Sequence, residues 1–201
     1  MRNALKKTLQ LITLPLLLPF LVSNQRSVIF SDVRRWSNIY NLTNQNDLNN
    51  LLYLLLQKEF RSLYYYRIHQ GNLFGVIIAT PLSFIFKKEE NLYIWCKNIG
   101  SGLFIQHGFS TVISAKSVGD NCWINQQVTV GHNGVGNSPT IGNNVAIRAG
   151  AKVIGDIKIG DNVIIGANAV VVKDIPPNCV VVGVPAYIIK RDGIKVYEKL
   201  T

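Results

Sequence analysis

The sequence predicts a mainly β fold, a parallel β-helix of hexapeptide repeats preceded by a helical region. Three observations predict it. Aliphatic residues recur every six positions at Ile141, Ile147, Val153, Ile159, Ile165 and Val171. A small or β-branched residue lies four places after most of them, at Val145, Ala151, Ile157, Val163 and Ala169. Glycines cluster from about residue 99 onward, whereas the apolar residues before that point follow helical spacing.

A period of six fits neither a 3.6-residue helix nor a flat two-residue strand. It is the signature of short strands that form the flat walls of a prism, three hexapeptides to a turn. The aliphatic side chains stack inside, and Gly, Asn and Asp turn the corners. The same step appears upstream at Ile99 and Ile105, and at Val118, Ile124 and Val130. About a dozen repeats give roughly four turns. Two places break the beat: an extra residue around positions 111–117, and five extra residues between Val130 and Ile141. The second must bulge from the prism as a loop, and loops on rigid scaffolds are where function concentrates.

The helical region reads in order. After Arg2, Lys6 and Lys7, an apolar run covers residues 11–22, interrupted by Pro15 and Pro19. It is too short to span a bilayer, and Val22-Ser23-Asn24 lacks the small-x-small pattern of a signal cleavage site. A short helix is expected over residues 31–40. A longer helical region starts at Asn46 or Asp47 as cap and stops at Gly71. Its apolar face is Leu48, Leu51, Leu52, Leu55, Phe60 and Leu63. A second apolar run, residues 73–86, contains Pro81 and ends at Lys87 and Lys88. Two readings stay open: both runs lie on a membrane surface, or both pack onto the protein's own core or a sister subunit. The expected organisation is thus a helical N-terminal region over 1–90, a β-helix over 91–186 and a basic C-terminal tail over 187–201.

Composition sets the outer bounds. The chain has 201 residues, 48% hydrophobic and only 16% charged, which excludes disorder as its main state. Cys96, Cys122 and Cys179 are too few for a disulfide scaffold and form no C-x-x-C pair for zinc. The net charge is +10, spread over both halves without a long basic block. Nucleic acid, an anionic membrane and a phosphorylated ligand all attract such a chain, and charge alone does not choose among them.

The repeat carries a family resemblance. The stretch Gly102-Leu103-Phe104-Ile105-Gln106-His107-Gly108 is similar to the active-site strand of serine O-acetyltransferases. So are Gln127-Val128-Thr129-Val130-Gly131 and Ala149-Gly150-Ala151-Lys152-Val153-Ile154-Gly155. With Gly183-Val184-Pro185-Ala186 after the repeats, the chain resembles the left-handed β-helix acyltransferases over about residues 90–190. Tyr66-Arg67-Ile68 matches more weakly. The resemblance implies a homotrimer with sites in the grooves between prisms, acetyl-CoA as co-substrate, no metal and no nucleic acid. It implies that His107 is the general base, and that Gly131, Arg148, Ala149, Gly150, Ile164, Ala167 and Lys190 line the acetyl-CoA channel. The chemistry is coherent: an imidazole with pKa about 6.5 can take a hydroxyl proton at neutral pH while the oxygen attacks the thioester. Backbone N–H groups can hold the oxyanion.

Departures from the serine enzymes set the acceptor expectation. Gln106 stands where they have Asp, Ser138 where a second His precedes the proline, and Leu92 where a carboxylate orients the base. Glu90 is the candidate substitute. The aspartate contributed by their helical region has no clear match near residues 38–40. The pattern resembles more closely the colanic acid and capsular polysaccharide O-acetyltransferases, with Ile105-Gln106-His107-Gly108, then Val112-Ile113, and an Asn-Gly-Pro loop over residues 131–139. Gln106, His132, Asn133 and Ser138 are neutral hydrogen-bonding groups suited to sugar hydroxyls.

The expected function is therefore acetyl transfer to a sugar hydroxyl of a cell-surface polysaccharide or its precursor, including a lipid-linked one, in the cytoplasm and at the inner face of the membrane if the apolar runs touch it. The alternative is a serine O-acetyltransferase with a divergent acceptor site. A non-catalytic β-helix scaffold and a membrane-surface adaptor are rivals from other classes.

Each residue also has a structural reading. His69 suits a helix C-terminus. His132 serves equally as a solvated loop residue. The small residues at 149, 150 and 167 suit any tight corner. Arg148 and Lys190, with Arg191, either reach a phosphate or point to solvent. Trp36 is a packing residue, and Trp95 and Trp123 serve either packing or ligand stacking.

Overall fold

The computed structural model describes residues 10–42, 46–134, 136 and 138–200. Arg2, Lys6 and Lys7, and Val135 and Asn137 of the loop, lie outside the described residues. The chain divides into two compact units, Met1–Glu90 and Asn91–Thr201.

The first unit is helical. A 3-10 turn, Leu14–Leu16, leads into α1 (Leu17–Val22), with Pro15 in the first turn as its missing N–H allows. Then come α2 (Arg26–Ile39), α3 (Asp47–Leu54), α4 (Lys58–His69) and α5 (Leu73–Ile85). Asn46 caps α3 by accepting from Asn49 N at 2.8 Å. The helical region expected to run on to Gly71 is broken between α3 and α4. Arg61 Nη1 occupies the break, donating to the carbonyls of Leu55 and Leu56 at 2.7 and 3.2 Å.

Trp36 and Phe60 meet edge to face in the core, 5.1 Å between ring centres. The Tyr64 hydroxyl donates to Leu16 O at 2.6 Å, and burial pushes its pKa up. Asp32 and Arg67 form a buried two-point ion pair at 2.9 and 3.2 Å, with side chains 2% and 4% exposed. Among the described residues no helix is long and apolar enough to cross a membrane.

The second unit is a parallel β-helix. One wall stacks β1 (Leu92–Ile94), β3 (Thr111–Ile113), β6 (Thr129–Gly131), β9 (Lys152–Ile154) and β12 (Val170–Val171). A second stacks β4 (Ser117–Val118), β7 (Thr140–Ile141) and β10 (Lys158–Ile159), extended by the bridges Ile99–Val118 and Ile159–Ile175. A third stacks β2 (Phe104–Ile105), β5 (Trp123–Ile124), β8 (Ala146–Ile147), β11 (Ile164–Ile165) and β13 (Cys179–Val182).

Each wall has five levels, so the prism has five coils rather than the four expected. The first coil begins at Leu92, before glycine becomes frequent. The inward aliphatics are in register: Ile105, Ile124, Ile147, Ile165 and Val181 face one another through successive pairings and are almost fully buried.

The corner between the second and third walls shows why Asn, Asp and Gly recur. Asn121, Asn144, Asn162 and Asn178 all adopt positive φ, from 55° to 58°. Their amides form a ladder, with Asn144 donating to Asn162 at 3.1 Å and Asn162 to Asn178 at 2.9 Å. Residues 187–200, expected as a polar tail, instead form β14 (Tyr187–Arg191) and β15 (Ile194–Lys199), which add antiparallel to β13.

Two outcomes follow from the burial. Removing the Asp32 carboxylate leaves Arg67 charged and unpaired in the core. Asp32→Ala is expected to lower unfolding free energy by about 3–5 kcal/mol in urea denaturation. Burial also pushes the Cys96 and Cys179 thiols up, so fewer of them are thiolate at pH 8 than for a free cysteine. Iodoacetamide is expected to label them slowly in the native protein and fully after unfolding.

Candidate active site

Within each coil the chain passes from the third wall to the first across one corner. In the regular coils six residues separate the inward positions on these walls, as from Ile124 to Val130. From Ile105 to Ile113 there are eight. The break in the beat therefore lies at this corner, and the following passage to Val118 is one residue shorter, which placed the extra residue at 111–117 in the sequence.

The enlarged corner carries His107. Its backbone turns at φ 63°, followed by Gly108 at 49° and Ser110 at 52°. A non-glycine residue there is strained, and such strain concentrates at functional sites. Gly108 and the buried Phe104–Ile105 strand hold the corner, and the imidazole is exposed. Among the described residues no carboxylate forms an ion pair with it. Leu92 is 4% exposed in β1, an apolar core position, and Glu90 precedes that strand, at the end of the helical unit.

Below His107 the same corner holds Gln126, Ala149 and Ala167 in successive coils. Backbone bonds fix the stack: Gln127 N to Phe109 O at 3.0 Å, Gly150 N to Gln126 O at 3.1 Å and Asn168 N to Ala149 O at 2.9 Å. Coils repeat at about 4.8 Å, so Ala149 lies roughly 10 Å down the prism from His107. Gly150 turns at φ 75°, and a Cβ there would fall 2.0 Å from Asn168 Oδ1. Ile164, 38% exposed, lies on the third wall just before this corner.

Beside the column runs another, Gln106, Asn125 and Arg148, each donating its N–H to the carbonyl of the coil below, those of Ile124, Ile147 and Ile165. Gln106 Oε1 accepts from Trp123 Nε1 at 3.2 Å and Asn125 Nδ2 at 2.9 Å. Arg148 stacks over Trp123, 5.1 Å from the ring centre. The side-chain amide oxygens Asn125 Oδ1 and Gln126 Oε1 are buried with no hydrogen-bond partner among the described residues. Sequence reasoning passed over these two residues and gave Trp123 no defined role. The signal was Asn125-Gln126-Gln127, three consecutive amides where the next coils carry Arg148-Ala149-Gly150 and Gly166-Ala167-Asn168.

The loop residues lie elsewhere. His132, Asn133 and Ser138 leave from the corner between the first and second walls, across the first wall from His107. His132 and Asn133 are exposed, and Ser138 is half-buried. Gly131 ends β6 and is buried, accepting from Gly155 N at 3.1 Å. One chain thus brings His107, Gln106 and the corner column together and does not bring the loop to them.

At the far end of the column a cavity of about 440 Å³ opens between β12, the turn after β13, and β15. Val170, Lys173, Val184, Tyr187, Tyr197 and Lys199 are among its lining residues. Lys190 is exposed on β14, and Arg191 is engaged by Glu198.

A prism of stacked hexapeptides with a histidine on an enlarged corner defines a class, and comparison with known proteins agrees. Residues 138–173 match the family of bacterial transferase hexapeptide (six repeats). A serine acetyltransferase of Synechococcus elongatus is 49% identical over 102 residues, 49% of this chain and 42% of that protein. The chain therefore matches less than half the length of that relative. A Brucella abortus serine acetyltransferase in complex with coenzyme A superposes with TM-score 0.62 at 30% identity, covering 83% of this chain and 68% of that one. A Neisseria gonorrhoeae serine acetyltransferase in complex with serine gives TM-score 0.62 at 30% identity, covering 83% and 69%.

The chain belongs to the hexapeptide-repeat transferases.

These relatives overturn the polysaccharide acceptor expected from the sequence. The reason is visible at Gln106. Its carbonyl, read as a group for sugar hydroxyls, is turned to Trp123 and Asn125 inside the stack.

Gly150→Ala forces a side chain into the left-handed region and displaces the Asn168 amide. It is expected to cost on the order of 1–2 kcal/mol, seen as a lower melting temperature.

Proposed function

We propose that this chain is an acetyl-CoA-dependent serine O-acetyltransferase, working in the cytosol where its donor is found. The observation that carries the reading is the single corner column. It runs from an exposed histidine on strained backbone, past small residues, to a cavity lined by lysines and tyrosines. A long rod-like thioester fits such a track, with its acyl end at His107. Ala149, Gly150 and Ala167 let it approach the backbone, and Ile164 offers an apolar flank. Lys173, Lys199, Tyr187 and Tyr197 suit the phosphate and adenine end. Arg148 and Lys190 are further phosphate partners.

Acetyl-CoA supplies an activated thioester carbonyl. His107 takes the proton of the serine hydroxyl as the oxygen attacks that carbonyl. The C–S bond then breaks, and the imidazolium returns its proton to the departing thiolate. O-acetylserine and free thiol leave, and no covalent bond to the protein forms.

The side-chain amide oxygens Asn125 Oδ1 and Gln126 Oε1, one coil below His107, accept from the serine ammonium. They are neutral acceptors, weaker than a carboxylate, so a high KM for serine is expected. The loop bearing His132, Asn133 and Ser138 is across the wall from its own His107. A homotrimer, in which one copy's loop closes the neighbour's groove, supplies it.

Thiol release from acetyl-CoA with serine tests the reading. His107→Ala is expected to lower the rate by about 10²–10⁴-fold with folding intact. Release that is absent with serine, or equal in the variant, would sink it.

A further inference from the structure

We infer that α1 and α5 form a membrane anchor that inserts its apolar face into one leaflet of an anionic bilayer. The inference does not depend on the acceptor or on catalysis.

The two helices are joined at one end. Asn72 Nδ2 donates to Val22 O at 2.8 Å, and Asn72 N donates to Asn24 Oδ1 at 3.1 Å. From there α5 runs back along α1, where a Cβ on Gly75 would sit 3.6 Å from Pro19 O. On the α5 side the seam is made of small residues: Gly75 and Ala79 are the buried residues of α5, whereas α1 buries Pro19 and Phe20. The large side chains point outward. Leu73, Phe74, Ile77, Phe84 and Ile85 are 58–76% exposed. On the other strip Leu11, Ile12, Leu18 and Leu21 are 55–62% exposed.

On α5 this inverts the pattern of a helix folded against a water-soluble core, where bulk goes inward. Small residues at the seam and bulk outside is how helices pair when their surroundings are lipid. The polar side chains of α5 agree with that reading. Thr80 Oγ1 donates to Val76 O at 2.8 Å, and Ser83 Oγ to Thr80 O at 2.7 Å. Both hydroxyls on this helix are thus satisfied by its own carbonyls, as burial in hydrocarbon requires. Asn72 caps its start by accepting from Gly75 N at 3.3 Å.

Length and charge define the mode. Thirteen residues in α5 make a rod of about 20 Å, short of the roughly 30 Å hydrocarbon core, so insertion stops within one leaflet. Neither residues 10–24 nor residues 70–86 contain a charged side chain. Exposed Lys87 and Lys88 follow immediately, placed to meet lipid phosphates at the headgroup level. Protein interfaces carry a polar rim around the apolar centre. Here the apolar strip holds no charged side chain and meets Lys87 and Lys88 before Glu89 and Glu90, on a chain of net charge +10, which favours an anionic lipid surface.

Sedimentation of the full chain with vesicles tests this. Vesicles of phosphatidylcholine and phosphatidylglycerol in equal parts are expected to carry the protein down, and phosphatidylcholine alone to carry much less. The triple variant Phe74→Ser, Ile77→Ser, Phe84→Ser is expected to stay in the supernatant with its melting temperature and assembly mass unchanged. Lys87→Gln with Lys88→Gln is expected to weaken binding to the anionic vesicles about fivefold for each lysine removed. Failure of the native chain to sediment with anionic vesicles would overturn the inference. So would a triple variant that binds vesicles as before but loses assembly mass, which would assign the face to a second copy. Thiol release in solution is scored separately, so failure of the catalytic proposal is distinguishable from failure of this one.

Discussion

Register between coils is the constraint on which everything else in the β-helix depends. Each inward aliphatic must sit on the one beneath it, so every coil must cover three walls with a fixed number of residues. That fixes what the corners can be. The Asn ladder at one corner shows it: four asparagines in the left-handed region, with amides bonded coil to coil among the last three. Two positions earlier, glycine is required by contact. At Gly142 a Cβ would meet Asp161 Oδ1 at 2.4 Å. The core thus selects the aliphatics and the stacking selects the corner residues, and both requirements name the same register.

A fold this regular makes its irregularities informative. Two passages depart from the count: the enlarged corner at His107 and the passage holding residues 132–139. The first adds residues without a new strand, so the chain turns outward through three residues with positive φ. That exposes an imidazole on a rigid support while the core beneath stays intact, with Ile105 and Ile113 both buried. Rigidity matters for proton transfer, because a base must be held within hydrogen-bond reach of its donor. The scaffold supplies the stiffness and the insertion supplies the exposure.

Much of this was legible in the sequence. The six-residue period identifies the prism because only stacked coils demand it. His107, Ala149, Gly150 and Ala167 are singled out by the family resemblance, and the period alone does not distinguish them from other corner residues. The count of coils fell short, since Leu92-Tyr93-Ile94 opens the first coil before any glycine marks a corner. The insertion was misplaced by a few residues because a shortened neighbouring passage absorbed part of it. The composition of residues 187–201 predicts a basic tail. β14 and β15 instead extend the third wall, and in β15 Val196 and Glu198 are half-buried while Ile194 and Tyr197 are exposed. Gln106 was misread for a different reason. An isolated polar residue looks available for a ligand, and only the stack shows that its carbonyl is already used by Trp123 and Asn125. Hydrogen-bond partners one coil away are about 19 residues distant in sequence, and no local pattern reveals them.

The two units solve burial by opposite rules. In the β-helix, bulk lies inside and polar groups turn outward at the corners. In α5, the buried residues are glycine and alanine, and the bulk faces out. The same chain also keeps a conventional core between α2 and α4, where Trp36, Phe60 and the Asp32–Arg67 pair are almost fully buried. A chain that can build such a core beside α5 does not lack the residues to cover Phe74 and Phe84. Its exposed face is therefore better understood as matched to an apolar surrounding than as a packing defect. The contrast lies within one unit, whichever acceptor the β-helix serves.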